Sequence, residues 1–194
     1  MTTESRARIV EAIIAVIADS GIERASVRAV AQRAGVSVGA VQHHFRTKDE
    51  MLEAAMELIS ANVTAGVGEL VAEGASACDV LRELAGMLAI ERDEDRAMAG
   101  VWLDFVGLAR VSPALAEIHC AGWAQLRAAF ARLVGLAHPG HPAPAEAAET
   151  VLAVCDGIAV ARVVESDFMT GERAGAIVER VLAVIAAEAE PGAG

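Results

Sequence analysis

Between Arg24 and Lys48 the chain places five basic side chains, Arg24, Arg28, Arg33, Arg46 and Lys48, and no Asp or Glu. Two serines, Ser26 and Ser37, and two adjacent imidazoles, His43 and His44, share the window. Cations and neutral donors without acid suit one chemistry, the holding of phosphate oxygens and the reading of base edges. The rest of the chain has the opposite character. Residues 1–48 carry a net +3 while the whole chain carries −11, which leaves −14 for residues 49–194. Nucleic acid repels so acidic a protein unless its positive charge is gathered on one face.

Two short helices and a tight turn are needed to present those groups, and the sequence supplies them. Ser26 is a good N-cap, followed at helical spacing by Val27, Val30, Ala31 and Ala34. Gly35 allows the left-handed turn that ends a helix without a Cβ clash. Ser37 caps a second helix whose inward positions are expected at Val38, Val41 and Phe45. Ala31 is small enough for the helices to cross closely. The pattern predicts a helix-turn-helix whose second helix enters a DNA major groove. Ser26 and Arg28 then stand where the first of these helices meets a base edge or a phosphate. Ser37, Val38, Ala40 and His43 lie on or near the groove face. Few of these are strong base readers, so thymine methyls and DNA shape are expected to share in discrimination.

The segment resembles the DNA-binding end of the tetracycline-repressor (TetR) family of bacterial transcriptional regulators. The matching residues are Ile9, Ala12, Ile13, Gly21, Val30-Ala31, Ala34-Gly35-Val36-Ser37, Gly39, Phe45, Lys48 and Leu52. They cover about a quarter of the chain; the remainder is similar in kind, as an all-helical domain of suitable length. The resemblance implies phosphate contacts for His44 and Lys48, and for Gln42, which stands where the family usually has a Tyr that touches phosphate. At Lys48 the N-terminus of the next helix adds its own positive dipole.

Composition narrows the remaining classes. The chain has 194 residues, 55% of them apolar, and no Tyr, which favours helices and supplies ample core. The apolar runs are too short to span a membrane; Ala97–Leu103 stops at Asp104. Residues 12–18 look like the apolar part of a secretory leader, but Glu11 adjoins them and the helix-turn-helix follows, so no leader is expected. Cys78, Cys120 and Cys155 are odd in number and dispersed, which fits a reducing cytoplasm.

Helix 1 is expected from about Ser5 to Ser20. Helix 4 opens on a capping box, Thr47-Lys48-Asp49-Glu50, and runs through Leu52, Met56, Ile59 and Val63 to about Val71, with Gly66 and Gly68 weakening its second half. Further helices are expected from Ser76, over Arg96–Arg110, and from Ser112-Pro113 to about Ala137, with the charged run Glu91–Arg96 as a break. His138–Pro144 must be a loop, with both of its histidines in solvent. The last helices, about Ala145–Ser166 and Thr170–Ala189, are apolar over a wider arc than one packing face requires. The resemblance implies that they pair with a second subunit as a four-helix bundle. A symmetric dimer also sets two recognition helices against two half-sites of a palindrome.

A second candidate site lies in the acidic part. Met87, Met98, Trp102, Phe105, His119, Trp123 and Cys155 fall on helices expected to converge, with Asp104 and Asp156 embedded in apolar sequence. An aspartate there is costly unless paired, and suits a cationic or hydroxylated ligand. The bland alternatives are core packing for the large side chains, and capping, pairing with Arg127 or Arg162, or solvent exposure for the carboxylates. Catalysis has little support. There is no Gly-x-Ser-x-Gly, no phosphate-binding glycine loop and no His-Glu-x-x-His, and His138-x-x-His141 has no nearby Cys to complete a metal site.

The sequence therefore predicts an all-α chain of about nine helices. A DNA-binding domain over residues 1–50 precedes an effector-binding and dimerisation domain over residues 51–194. Its partners would be a double-stranded operator, a small-molecule effector and a second copy of itself, with no cofactor, metal or membrane. The competing class is a helical binding protein or enzyme that keeps a helix-turn-helix only as scaffold.

Overall fold

The computed structural model describes residues 3–72 and 74–190, without the side chains of residues 3 and 63–72. Val63, Gly66 and Gly68, expected to shape the second half of helix 4, lie outside the described side chains. Among the described residues the chain is built of nine α-helices and has no strand. They are α1 (Thr3–Ser20), α2 (Val27–Ala34), α3 (Val38–His44), α4 (Lys48–Ala72), α5 (Ala77–Leu88), α6 (Arg96–Ala109), α7 (Pro113–Ala137), α8 (Pro144–Val164) and α9 (Gly171–Glu188). Short 3-10 turns at Ile22–Arg24 and Asp93–Asp95 precede α2 and α6.

Backbone contacts divide the chain into two compact units, one of Met1–Asn62 with Gly100–Ala121, the other of Val63–Ala99 with Gly122–Gly194. In the first, Ile9, Ile13 and Ile17 of α1 recur every turn and bury one face against Val30, Ala31, Val41, Phe45, Met51 and Ala55. Val101 and Phe105 of α6 and Leu115 of α7 complete that core. The helix-turn-helix is thus set on residues far along the chain.

The second unit has its own core, in which Leu81 and Leu84 of α5 join Phe130 and Val134 of α7, Val151, Leu152 and Ile158 of α8, and Val178 and Ile185 of α9. Its corner is drawn together by Arg162, which is 1% exposed. The guanidinium donates to the carbonyls of Ile90 (2.7 Å) and Met169 (2.9 Å) and to the Asp93 carboxylate. That charge holds the Asp93 carboxyl below the usual carboxylate range, through the hydrogen bond first and the Coulomb attraction second. Ile90 itself takes the left-handed region, φ 54°, which is costly for a β-branched residue. The chain then passes so close to α9 that a Cβ on Gly171 would run into the carbonyl oxygen of Glu91.

The His138–Pro144 loop departs from expectation. His141 is buried rather than solvated. Its Nδ1 accepts from the Ala143 N–H (3.1 Å), and its Nε2 lies 3.4 Å from a Glu188 carboxylate oxygen. Prolines keep the segment from being helical, but they do not keep a ring off the core.

Candidate nucleic-acid interface and effector pocket

Each joint of the helix-turn-helix is closed by a local hydrogen bond. Ser26, in extended conformation, accepts from the Ala29 N–H (3.3 Å) and starts α2. Gly35 adopts φ 65°, ψ 35°, and Val36 N–H returns to the Ala31 carbonyl (3.0 Å), which makes a Schellman stop. Ser37 accepts from the Ala40 N–H (3.1 Å) and starts α3. Val41 and Phe45 anchor α3 in the core, while Ser37, Val38, Gly39, Gln42 and His43 are exposed. Val38, expected both among the inward positions and near the groove face, is 40% exposed and lies outside the core. A helix as short as α3 has few inward positions, and Val41 with Phe45 fills them.

The start of α4 is capped reciprocally. Thr47 accepts from the Glu50 N–H (3.1 Å), and the Glu50 carboxylate accepts from the Arg46 N–H (2.7 Å), one residue beyond the usual capping box. Lys48 is half-buried, and its Nζ donates to the Glu23 carbonyl (3.3 Å). An ammonium has three donors, so two remain for a phosphate beside the α4 N-terminus. Arg33 pairs with Asp19 (2.6 Å) and Arg8 donates to the Ala34 carbonyl (3.1 Å), both bracing the motif. Arg28 is exposed, Ala40 and His44 are half-buried, and the His44 Nε2 is enclosed without a hydrogen-bond partner.

The expected effector residues are not gathered in one unit. Trp102, Asp104, Phe105 and His119 belong to the first, while Met87, Met98, Trp123, Cys155 and Asp156 belong to the second. Phe105 is fully buried in the core beneath the helix-turn-helix, so its part is packing rather than pocket lining. Asp104 accepts the backbone N–H of Ile22 (3.2 Å), which satisfies a carboxylate that looked unpaired in the sequence. The Cys155 thiol lies in the second core and donates to the Ala85 carbonyl (3.4 Å). Burial, then the charges of Asp156 and Glu91, push that thiol up to about 12, so it stays neutral. Met98 is 43% exposed, and Trp102, Met87, His119 and Trp123 are half-buried.

Asp156 keeps the character read from sequence. Burial pushes its carboxyl up to about 6, and among the described residues no cation pairs with it. A cavity of about 590 Å³ opens at the α8–α9 corner, lined by Phe168, Met169, Thr170, Arg173, Ile177 and Arg180 among others. The expected pocket residues do not line it. Among the described residues no helix is long and apolar enough to cross a membrane, and no His, Cys, Asp and Glu cluster could hold a metal ion.

Known proteins resemble this chain in sequence and fold. Residues 9–55 match the family described as bacterial regulatory proteins, tetR family, and residues 78–187 match BetI-type transcriptional repressor, C-terminal. The regulator PksA of Bacillus subtilis (strain 168) is 37% identical over 106 residues, 54% of this chain and 51% of its own. The regulator BetI of Yersinia pestis is 32% identical over 116 residues, 57% of each chain. The chain thus spans a little over half the length of the curated relatives it matches. A Rhodococcus transcriptional regulator of known structure is 32% identical, with a TM-score of 0.82 over 92% of this chain and 94% of that one. A regulator from Saccharomonospora viridis, solved in complex with choline, is 16% identical, with a TM-score of 0.84 over 94% of this chain and 97% of that one. At that identity the likeness is one of fold.

Proposed function

The chain belongs to the TetR family of bacterial transcriptional regulators, and from that premise we propose that it is a ligand-responsive repressor acting as a homodimer on a palindromic operator. The carrying observation is the helix-turn-helix itself: three capped joints, a buried rear face and an exposed, acid-free front on α3. In this reading residues 1–50 bind DNA, with Ser26, Arg28, Ser37, Val38, Ala40, Gln42, His43, His44 and Lys48 facing it. Residues 51–194 hold the effector and the partner subunit, and the protein works in the cytoplasm by binding rather than by catalysis. Four large apolar side chains left exposed on α8, α9 and their connection, Val160, Val164, Phe168 and Val184, support dimerisation there.

A cationic effector is favoured by Asp156, whose half-buried carboxylate lacks a compensating cation, and by the choline held by the relative of like fold. Trp123, in the same compact unit as Asp156, is an aromatic ring of the type that quaternary ammonium groups prefer. Effector binding then shifts the population toward a conformer whose two recognition helices no longer match successive grooves.

Genomic fragments retained on the full-length dimer, then challenged with choline, test both halves. A discrete fragment enriched and then released by choline is the expected outcome. Retention of random fragments would refute the DNA assignment, and enrichment without release would refute the cationic effector.

A further inference from the structure

Arg6 lies outside the basic window and in none of the elements assigned to DNA. It sits three residues before Ile9 on α1, so it shares the inward face that Ile9 and Ile13 define. An arginine at the end of such a face lays its stem on the core and carries its head to the edge. Here the guanidinium lies 5.3 Å from the centroid of the Phe45 ring, the residue that closes the recognition helix. Phe45 is 2% exposed and packed in the core, so its ring serves as a platform.

The other cations of this region are instructive by contrast. Arg8, Arg33 and Lys48 each spend a donor on Ala34, Asp19 or Glu23. Arg6 is exposed, and no described residue pairs with it or accepts from it. It therefore combines two properties that the rest do not: a head held in place by an aromatic ring, and five N–H donors all unused. The N-terminal residues of a recognition helix meet base edges, so its far end rises toward the sugar–phosphate wall. Phe45 marks that end.

We propose that Arg6, stacked on Phe45, is a DNA phosphate contact that extends the interface from the helix-turn-helix onto α1. The proposal rests on the DNA-binding reading above. Stacking restricts the side chain before DNA arrives, so less freedom is lost when the guanidinium meets a phosphate.

The test is the salt dependence of full-length protein binding to a mixed-sequence duplex of about three helical turns. Loss of one phosphate contact lowers the slope of log K against log salt by about 0.9 per subunit, or about eightfold in K between 0.1 M and 1 M salt. Arg6→Ala should show that loss while remaining folded, and Arg6→Lys should restore most of the slope. An unchanged slope in a folded Arg6→Ala would overturn the proposal and leave Arg6 as a cap on the α3 dipole. An effect confined to duplexes with A·T-rich flanks would also overturn it, since that marks minor-groove reading. Wild-type protein that binds no duplex at any salt concentration would instead bring down the DNA reading itself.

Discussion

Lys48 and Asp156 show how one side chain's surroundings set its task. Lys48 has one donor on the Glu23 carbonyl and two left over beside a helix N-terminus. Lys48→Ala should weaken binding to every DNA sequence alike and lower the salt slope by about 0.9 per subunit, as read by fluorescence anisotropy. Asp156 bears a cost that its surroundings do not offset. Its pKa of about 6 in the folded chain exceeds the usual carboxylate value near 4, so the folded state holds its proton to higher pH than the unfolded chain. Stability from this group is therefore fully present below about pH 4 and falls as pH rises to about 6. Asp156→Asn should remove that slope and stabilise the neutral-pH protein by about 1 kcal/mol once solvent screening is allowed for, as measured by denaturant unfolding at each pH. The residues legible in the sequence were those with nearby partners. Ser26, Gly35 and Ser37 act within three to five positions of themselves. Asp104 meets an amide 82 positions away and Arg162 a carbonyl 72 away, and no local pattern announces either. Both aspartates looked alike in sequence; only the fold gave Asp104 a partner and left Asp156 without one.

At the scale of elements, periodicity revealed which faces are apolar but not how closely backbones approach. Gly171 reads as an ordinary residue after the Thr170 N-cap, yet the carbonyl of Glu91 occupies the space its side chain would need. Gly171→Ala should cost about 1–3 kcal/mol because backbone must move. Gly175→Ala, whose Cβ would meet only the Glu91 side-chain carboxylate at 3.3 Å and no backbone, should cost less than about 1 kcal/mol. Parallel urea titrations decide it, and equal losses would show that the crossing is looser than drawn. The wide apolar arc of α8 and α9 splits once the fold is known. Val151, Ile158, Val178 and Ile185 serve the protomer's own core, and Val160, Val164 and Val184 remain exposed. Leu182 packs against that core, so a charge there would damage the protomer as well. Val160→Glu tests dimerisation more cleanly. It should leave the protomer folded and shift micromolar protein from dimer to monomer in sedimentation, through an unpaired charge costing several kcal/mol in an apolar contact. A wild type that sediments as a monomer would exclude this face as the partner surface.

For the whole molecule, charge and connectivity set the terms. A net −11 chain carries a basic head, so attraction to DNA is local and repulsion is general. Helices α4, α6 and α7 each contribute residues to both compact units. Linkage then makes a demand in both directions: an effector that weakens DNA binding tenfold must itself bind tenfold more weakly to the DNA complex, about 1.4 kcal/mol of coupling. The most direct measurement is selection of duplexes from a random pool by the full-length protein, with the stoichiometry of the enriched complex determined by sedimentation. Two recognition helices on a symmetric dimer should enrich an inverted repeat, with half-site centres about 10 base pairs or a multiple apart and two chains on each duplex. A pool that stays random, or a single unrepeated site held by one chain, would contradict a dimeric reader of palindromic DNA.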